Sequence, residues 1–528
     1  MKLRILTFLQ VSFLVASNAF SNPSIDDCLE ALPVTFVSGK ATMALTDFCV
    51  LHAYAHALLQ RNPGKSPEEC LRAAEAGDVN AQLLLGAMAA NGKGLPHSYE
   101  EAFRWFNLAA QHGSTFAHGC LGSLYEHGHG VGQSHEQAAE HYRQAAEQGE
   151  PLAQKALASL YLEGKGVEKS PAKAREWFRL AAVQEFPPAE LALGRLLLDD
   201  EGGPTSKTEG LEWIFRAAKQ GYAQAQVALS DLYAAGEAVP LSNEESIRWL
   251  RRAAESGDIY AQVTLGVRYA KGQGVAQDLK EAVRWYRVAA ELGDATAQYN
   301  LARCYVTGRG VEQSFEAAIP WFLKAAEQGD LEAQYSLGLR HLWGQGVPQS
   351  YEKAAAWFLK AAERGHLGAE LEMAYLYAEG KGVEQSDEKA FSLFLEAARA
   401  GIAEAQLIVG CKYHIGSGTE PSYEESVKWI RRSALQGCAD AQYLMGCHYD
   451  SRRAGSEGSA LVALKWYFQA ARQGHTQARN MLIKRVIVNG VLLLIIVFMA
   501  RFSVNRLFAW FEKRKSPPSQ ASGDASAS

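Results

Sequence analysis

Apolar and small residues recur along this chain in two alternating helical stripes. In the copy that begins at Gly257, Ala261, Leu265 and Tyr269 stand four apart and share one face of a helix, while Ala282, Trp285, Ala289 and Ala290 form the same kind of stripe on a second. Gly272 and Gly274 fall between the stripes and Gly293 follows them, each a residue that takes the left-handed backbone with which helices end. The spacing predicts a helical hairpin. The pattern then begins again: Gly77, Gly113, Gly149, Gly221, Gly257, Gly293, Gly329, Gly365, Gly401 and Gly437 lie on one 36-residue grid, with Glu185 in the remaining slot. An eleventh copy, Gly437 to Gly474, carries one extra residue. Small Ala residues permit close helix approach, and Trp105, Trp177, Trp213, Trp249, Trp285, Trp321, Trp357, Trp429 and Trp466 fill one slot as packing posts, with His141 and Leu393 as the exceptions. A single hairpin cannot bury its apolar face, but stacked neighbours can. The expectation is an all-α, right-handed superhelical solenoid of about eleven such hairpins over residues 77–474, with one concave side.

The flanks depart from the repeat. Met1-Lys2-Leu3-Arg4, the apolar run from Ile5 to Val15 and the small residues up to Ser21 have the order of a signal peptide, assigned to residues 1–21. Residues 22–76 read as a helical cap, in which Ser66-Pro67-Glu68-Glu69 has the order of a helix start. A partial capping helix over 475–485 leads into an apolar run from Val486 to Ala500, read as one transmembrane helix over 486–502. Fifteen residues rise only ~22 Å against a hydrocarbon core of ~30 Å, so Arg485 and Arg501 would have to snorkel or the bilayer to thin; the alternative is a helix that closes the solenoid. Arg501, Arg506, Lys513, Arg514 and Lys515 outnumber Lys484 and Arg485, which puts the Ser- and Ala-rich tail, 503–528, in the cytosol and the array on the other side.

Composition removes some functions. A net charge of −5 with 21% charged residues gives no basic signal for nucleic acid. Loops such as Gly128-His-Gly130 and Gly164-Lys-Gly166 recur in the copies as a turn does, whereas a phosphate cradle is needed once. No catalytic set can be assembled, and neither a cofactor nor a small-molecule substrate is expected. Six of the 14 histidines lie between His112 and His141, and His127-x-His129 sits in a loop, so those two imidazoles are candidate metal ligands; the alternative is surface substitution in one copy. Cys28, Cys49 and Cys70 in the cap leave one disulfide open without fixing its partners. Cys120, Cys304, Cys411, Cys438 and Cys447 read as buried free thiols.

The order A-Q-x-x-L-G-x-x-Y, G-x-G-V, A-x-x-W and A-A-x-x-G at this period resembles the Sel1-like repeat family, relatives of the tetratricopeptide repeat, from Gly77 to Gly474. The resemblance implies a scaffold or adaptor that binds a protein or peptide, with no catalytic residues. With a signal peptide and one C-terminal span, the plan suits a protein of the bacterial inner membrane whose array faces the periplasm. The alternative is the family's endoplasmic-reticulum quality-control adaptor, with the array in the lumen; lower still stand a metal-binding protein and a cell-wall or β-lactam hydrolase. In the slot before the packed Tyr, Met88, Leu124, Leu160, Leu196 and Leu232 give way to Arg268, Cys304, Arg340, Leu376, Lys412 and His448. First helices line the concave side in tetratricopeptide relatives. Arg268, Arg340 and Lys412, with Tyr299, Arg303, Tyr335, Trp343 and Tyr443 nearby, are therefore candidates for a groove that takes an acidic or carboxylate-bearing segment. The alternative is a solvated face with scattered arginines.

Overall fold

A computed structural model describes residues 65–199, 204–451 and 457–488, together with Leu51, Ala55 and Leu59. Among them the chain forms 24 helices and no strand. The short α1 (Pro67–Glu75) is followed by eleven hairpins, from α2 (Val79–Asn91) and α3 (Tyr99–Gln111) to α22 (Ala439–Ser451) and α23 (Glu457–Arg472), and then by α24 (Thr476–Val488). The chain divides into two compact units at Gln328/Gly329. Within each unit every helix packs against the one before it and the one after it, as an α-solenoid requires. The signal peptide, nearly all of the cap before Lys65 including Cys28 and Cys49, the span beyond residue 488 and the tail lie outside the described residues. Among the described residues no helix is long and apolar enough to cross a membrane.

Local chemistry sets the helix ends. Ser66 and Glu69 form a reciprocal capping box at the start of α1. In copy six, Asp258 accepts from the Ala261 N–H to open α12 (Ile259–Lys271), which Gly272 closes at φ 68°; Asp278 then opens α13 (Leu279–Glu291), and Gly293 follows at φ 99°. Serines open most second helices in the same way, as Ser98 does for α3 through the Glu101 N–H. Among the described residues, two positions in the left-handed region lack glycine: Glu185 (φ 58°), on the grid, and Ala238 (φ 60°), in the loop of copy five.

The core of each hairpin forms where a small residue on the first helix meets a large one on the second. A methyl group on Gly266 would stand 2.7 Å from the Tyr286 ring, so glycine is what lets α12 close on α13. Tyr286 is the residue after the tryptophan slot, and its counterparts Phe106, Tyr142, Phe178, Phe322, Phe358 and Phe394 are all buried. The tryptophans lie further out. Trp285 is buried, but Trp321 and Trp357 are half-buried and covered by Lys324 and Lys360, whose ammonium groups stand 4.4 and 4.3 Å from the ring centroids. The packing post is shared between the tryptophan and its successor, and the successor is the deeper member in the copies of Trp105, Trp177, Trp285, Trp321 and Trp357, whereas Trp429 is buried and Ile430 half-buried.

Candidate functional site

The slot read from sequence as a cationic groove is largely engaged within the protein. In the first unit, Arg268 on α12 donates through Nη1 to Ser246 Oγ at 2.6 Å and lies 4.0 Å from Asp231. Ser246 belongs to α11 (Asn243–Glu255) and Asp231 to α10 (Ala223–Ala235), so this arginine ties copy six back to copy five. Tyr299, on α14 (Ala295–Thr307), is buried against Phe322 with Arg303 over its ring at 5.6 Å. In the second unit, Arg340 on α16 (Leu331–Trp343) is only 1% exposed. Lys412, on α20 (Ala403–Ile415), is buried and donates through Nζ to Asp387 at 3.3 Å and Ser417 at 3.0 Å. Where the acceptor is seen for Arg268 and Lys412, the long side chain of a first helix folds back onto the preceding copy, and a hydroxyl or carboxylate receives it.

Tyr335 and Tyr443 are rings beneath histidines. His366 caps α18 (Leu367–Glu379): its Nδ1 accepts the Ala369 N–H at 3.0 Å, so the proton sits on Nε2, 3.4 Å from Glu332. Its ring stacks on Tyr335 at 4.7 Å. His475 repeats the arrangement with Ala478, with Asp440 at 3.0 Å and with Tyr443 at 4.7 Å. Of the eight groove candidates, Trp343 is the exposed one.

Within the His-rich stretch, His112, His127 and His129 each have a partner outside the proposed metal pair. His112 bonds Gln82 Oε1 at 3.1 Å, His127 Nδ1 bonds its own helix at Ser123 O, and His129 stacks on Tyr99 at 4.4 Å. The His127 and His129 rings lie parallel, 5.6 Å apart. No group of three or more His, Cys, Asp or Glu side chains able to hold a metal occurs among the described residues. The array thiols are free; Cys120 is buried and the other four are half-buried. Burial pushes the Cys304 and Cys411 thiols up to about 11, which keeps them protonated and unreactive near neutrality.

The Gln of the recurring A-Q pair has a structural role that the sequence pattern does not disclose. Gln262 donates through Nε2 to the Ala254 carbonyl at 3.0 Å, across the turn into the preceding second helix. Gln82, Gln154, Gln226, Gln298, Gln406 and Gln442 make the same bond to the carbonyl eight residues back, at 3.0 to 3.1 Å. In Gln154, Gln298 and Gln406 the amide oxygen also accepts from a residue in the next turn, Gln184, Gln328 and Gln436 respectively, whereas the buried Gln226 and Gln262 oxygens make no such bond. Where both halves form, one buried amide clamps three consecutive helices, using donor and acceptor at once.

The repeat model described as Sel1 repeat matches residues 79–114, 121–150, 151–184, 187–222, 223–258, 259–294, 295–330, 331–366, 368–402, 403–438 and 439–475, well over half the chain. The chain belongs to the Sel1 repeat family. The crystal structure of c5321, a protective antigen present in uropathogenic Escherichia coli strains and displaying an SLR fold, is 30% identical over 88% of this chain and 100% of its own, with a TM-score of 0.56. A Sel1 repeat protein from Oxalobacter formigenes is 30% identical over 48% of this chain and 99% of its own, with a TM-score of 0.41. The immunity protein Pa5087 from Pseudomonas aeruginosa is 19% identical over 42% of this chain and 83% of its own, with a TM-score of 0.32. No curated protein matches the chain.

With its internal cations and tyrosines engaged, this Sel1 repeat protein turns other side chains outward. In the second unit, Trp343 and Ile415 end their first helices beside the loop glycines Gly344 and Gly416, and Tyr423 starts α21 (Tyr423–Leu435). All three are exposed, and the Tyr423 hydroxyl meets His448 Nδ1 at 2.7 Å. They occupy the loop edge of their hairpins, and large apolar and aromatic side chains of this kind are what protein interfaces use as anchors.

Proposed function

We propose that this protein is a membrane-anchored scaffold of the bacterial cell envelope, whose Sel1 array lies outside the cytosol and holds a protein or peptide partner. The observation that carries the binding role is the exposed loop edge of the second unit, where Trp343, Ile415 and Tyr423 face solvent while the cationic slot is engaged internally. The anchor and compartment rest on the sequence: the signal-peptide order of residues 1–21 and the apolar run from Val486. The likeness to c5321, a protective antigen, fits an exported array.

Two measurements test the proposal. A reporter active only in the cytosol should work when fused after Ser528 and fail when fused after Gly474; activity at both positions removes the span. Photo-crosslinking from position 415 in cells should yield a discrete protein adduct that is lost when Trp343 and Tyr423 are both alanine. An adduct of unchanged yield rejects the loop edge.

A further inference from the structure

The amide clamp is absent from three copies, where the slot holds His118, Glu190 and Glu370. Counted eight residues back, as in the glutamine bonds, the corresponding carbonyls are those of Ala182 at the end of α7 (Pro171–Ala182) for Glu190 and of Ala362 at the end of α17 (Tyr351–Ala362) for Glu370. Glu190 is 1% exposed and its Oε2 accepts from Gln220 Nε2 at 2.8 Å, so the acceptor half of the clamp is kept. The donor half is not, because an ionised carboxylate has no proton to give to an alanine carbonyl. The helices carry a matching mark. The second helices before these two slots have 12 residues, whereas α3, α11, α13 and α21, which precede Gln or His slots, have 13. Each shortened helix stops at the carbonyl the clamp would have held.

We propose that the joints at Glu190 and Glu370 are proton-operated clamps. A protonated carboxyl donates to Ala182 or Ala362 as the glutamine amide does elsewhere and closes the joint; an ionised one leaves that carbonyl with the turn N–H of Glu185 or Gly365 but without the side-chain bond between helices, and the joint loose. The groups that bear on Glu190 are Arg216 and Gln220 from α9 (Pro204–Lys219) and the turn after it, and Glu185 from the turn before α8 (Pro187–Asp199). Those that bear on Glu370 are Glu396 from α19 (Asp387–Arg399) and His366 from the preceding turn. Burial outweighs the others and holds both carboxyls above the ordinary range. A carboxyl whose folded pKa is raised makes the folded joint bind its proton more tightly than the unfolded chain does. The joint therefore weakens as pH rises from the ordinary carboxyl value through the raised one, and strengthens as pH falls back through the same window. The device is local to each joint and does not depend on the partner.

Hydrogen exchange of the full-length protein tests this directly. After correction for intrinsic rates, the amides over 183–190 and 363–370 should exchange roughly threefold or more slowly at pH 5 than at pH 7.5. The amides over 255–262, at the Gln262 clamp, should show no such change. Glu190→Gln and Glu370→Gln should be slow at both values. Glu190→Leu, which can neither donate nor titrate, should be fast at both over 183–190. The proposal is overturned if the wild-type segments show no pH difference, or if the difference survives in the glutamine variants.

Discussion

His118 Nδ1 and His141 Nδ1 meet at 3.0 Å inside copy two, where His118 stands in the glutamine clamp slot and His141 in the tryptophan slot. The two departures of this copy from the repeat pattern are one contact, between α4 (Thr115–His127) and α5 (His135–Glu147), with the Tyr125 ring stacked on His141 at 5.5 Å. Such a bond needs one ring as donor and the other as acceptor, so it holds only while the pair is not fully protonated.

Copy two should therefore be acid-labile, the opposite of the two glutamate joints. Burial, followed by the neighbouring His118, pushes His141 down to about 4, and burial lowers His118 too. A histidine with a lowered folded pKa costs stability as pH falls below the ordinary value of 6.5, and the loss is complete below about 4. Exchange of amides in α4 and α5 should accelerate across that window, and His118→Gln combined with His141→Trp should abolish the acceleration. An unchanged pH profile in the double variant would assign the lability elsewhere.

The hairpin core gives a second prediction. Phe322 is 1% exposed on α15 (Phe315–Glu327), next to the half-buried Trp321. Phe322→Ala should cost about 3 to 5 kcal/mol. Trp321→Ala should cost less, because part of its face already meets water under Lys324. Urea unfolding of both variants settles the order, and an equal or larger loss for Trp321 would restore the tryptophan as the principal post.

The two neighbours also illustrate what the sequence could convey. The glycine grid and the four-residue stripes specify helix ends and faces, and the helices formed there. Deeper distinctions turn on position around the helix axis, which separates Phe322 from Trp321 and Arg340 from Trp343. The Gln262 bond to Ala254 crosses a turn between copies, and no pattern of polarity reveals it. The recurrence of A-Q was its visible trace. The fate of Lys412 was hidden for a related reason: its acceptor, Asp387, begins a helix of the preceding copy and lies 25 positions back.

Glu185 offers a test of the backbone. It holds φ 58° at a grid position where the other copies have glycine, and a side chain in that region is strained. Glu185→Gly should stabilise the protein by about 1 kcal/mol, read as a rise in the urea midpoint at pH 7.5. A fall would mean that Glu185 makes a stabilising interaction that outweighs the strain.

Arg340 and Trp343 lie three residues apart on α16, one 1% exposed and the other exposed at the loop edge, and they should separate folding from binding. Arg340→Glu places a reversed charge in a buried site and should cost about 3 to 5 kcal/mol, visible in thermal unfolding of the second unit. Trp343→Ala should change stability by no more than about 0.5 kcal/mol, as surface substitutions do, while weakening partner capture. If the cationic slot were the docking groove, the outcome would invert: Arg340→Glu would leave a folded array that fails to capture, and Trp343→Ala would capture normally. Melting curves and crosslinking yields for the two variants, measured together, distinguish these cases.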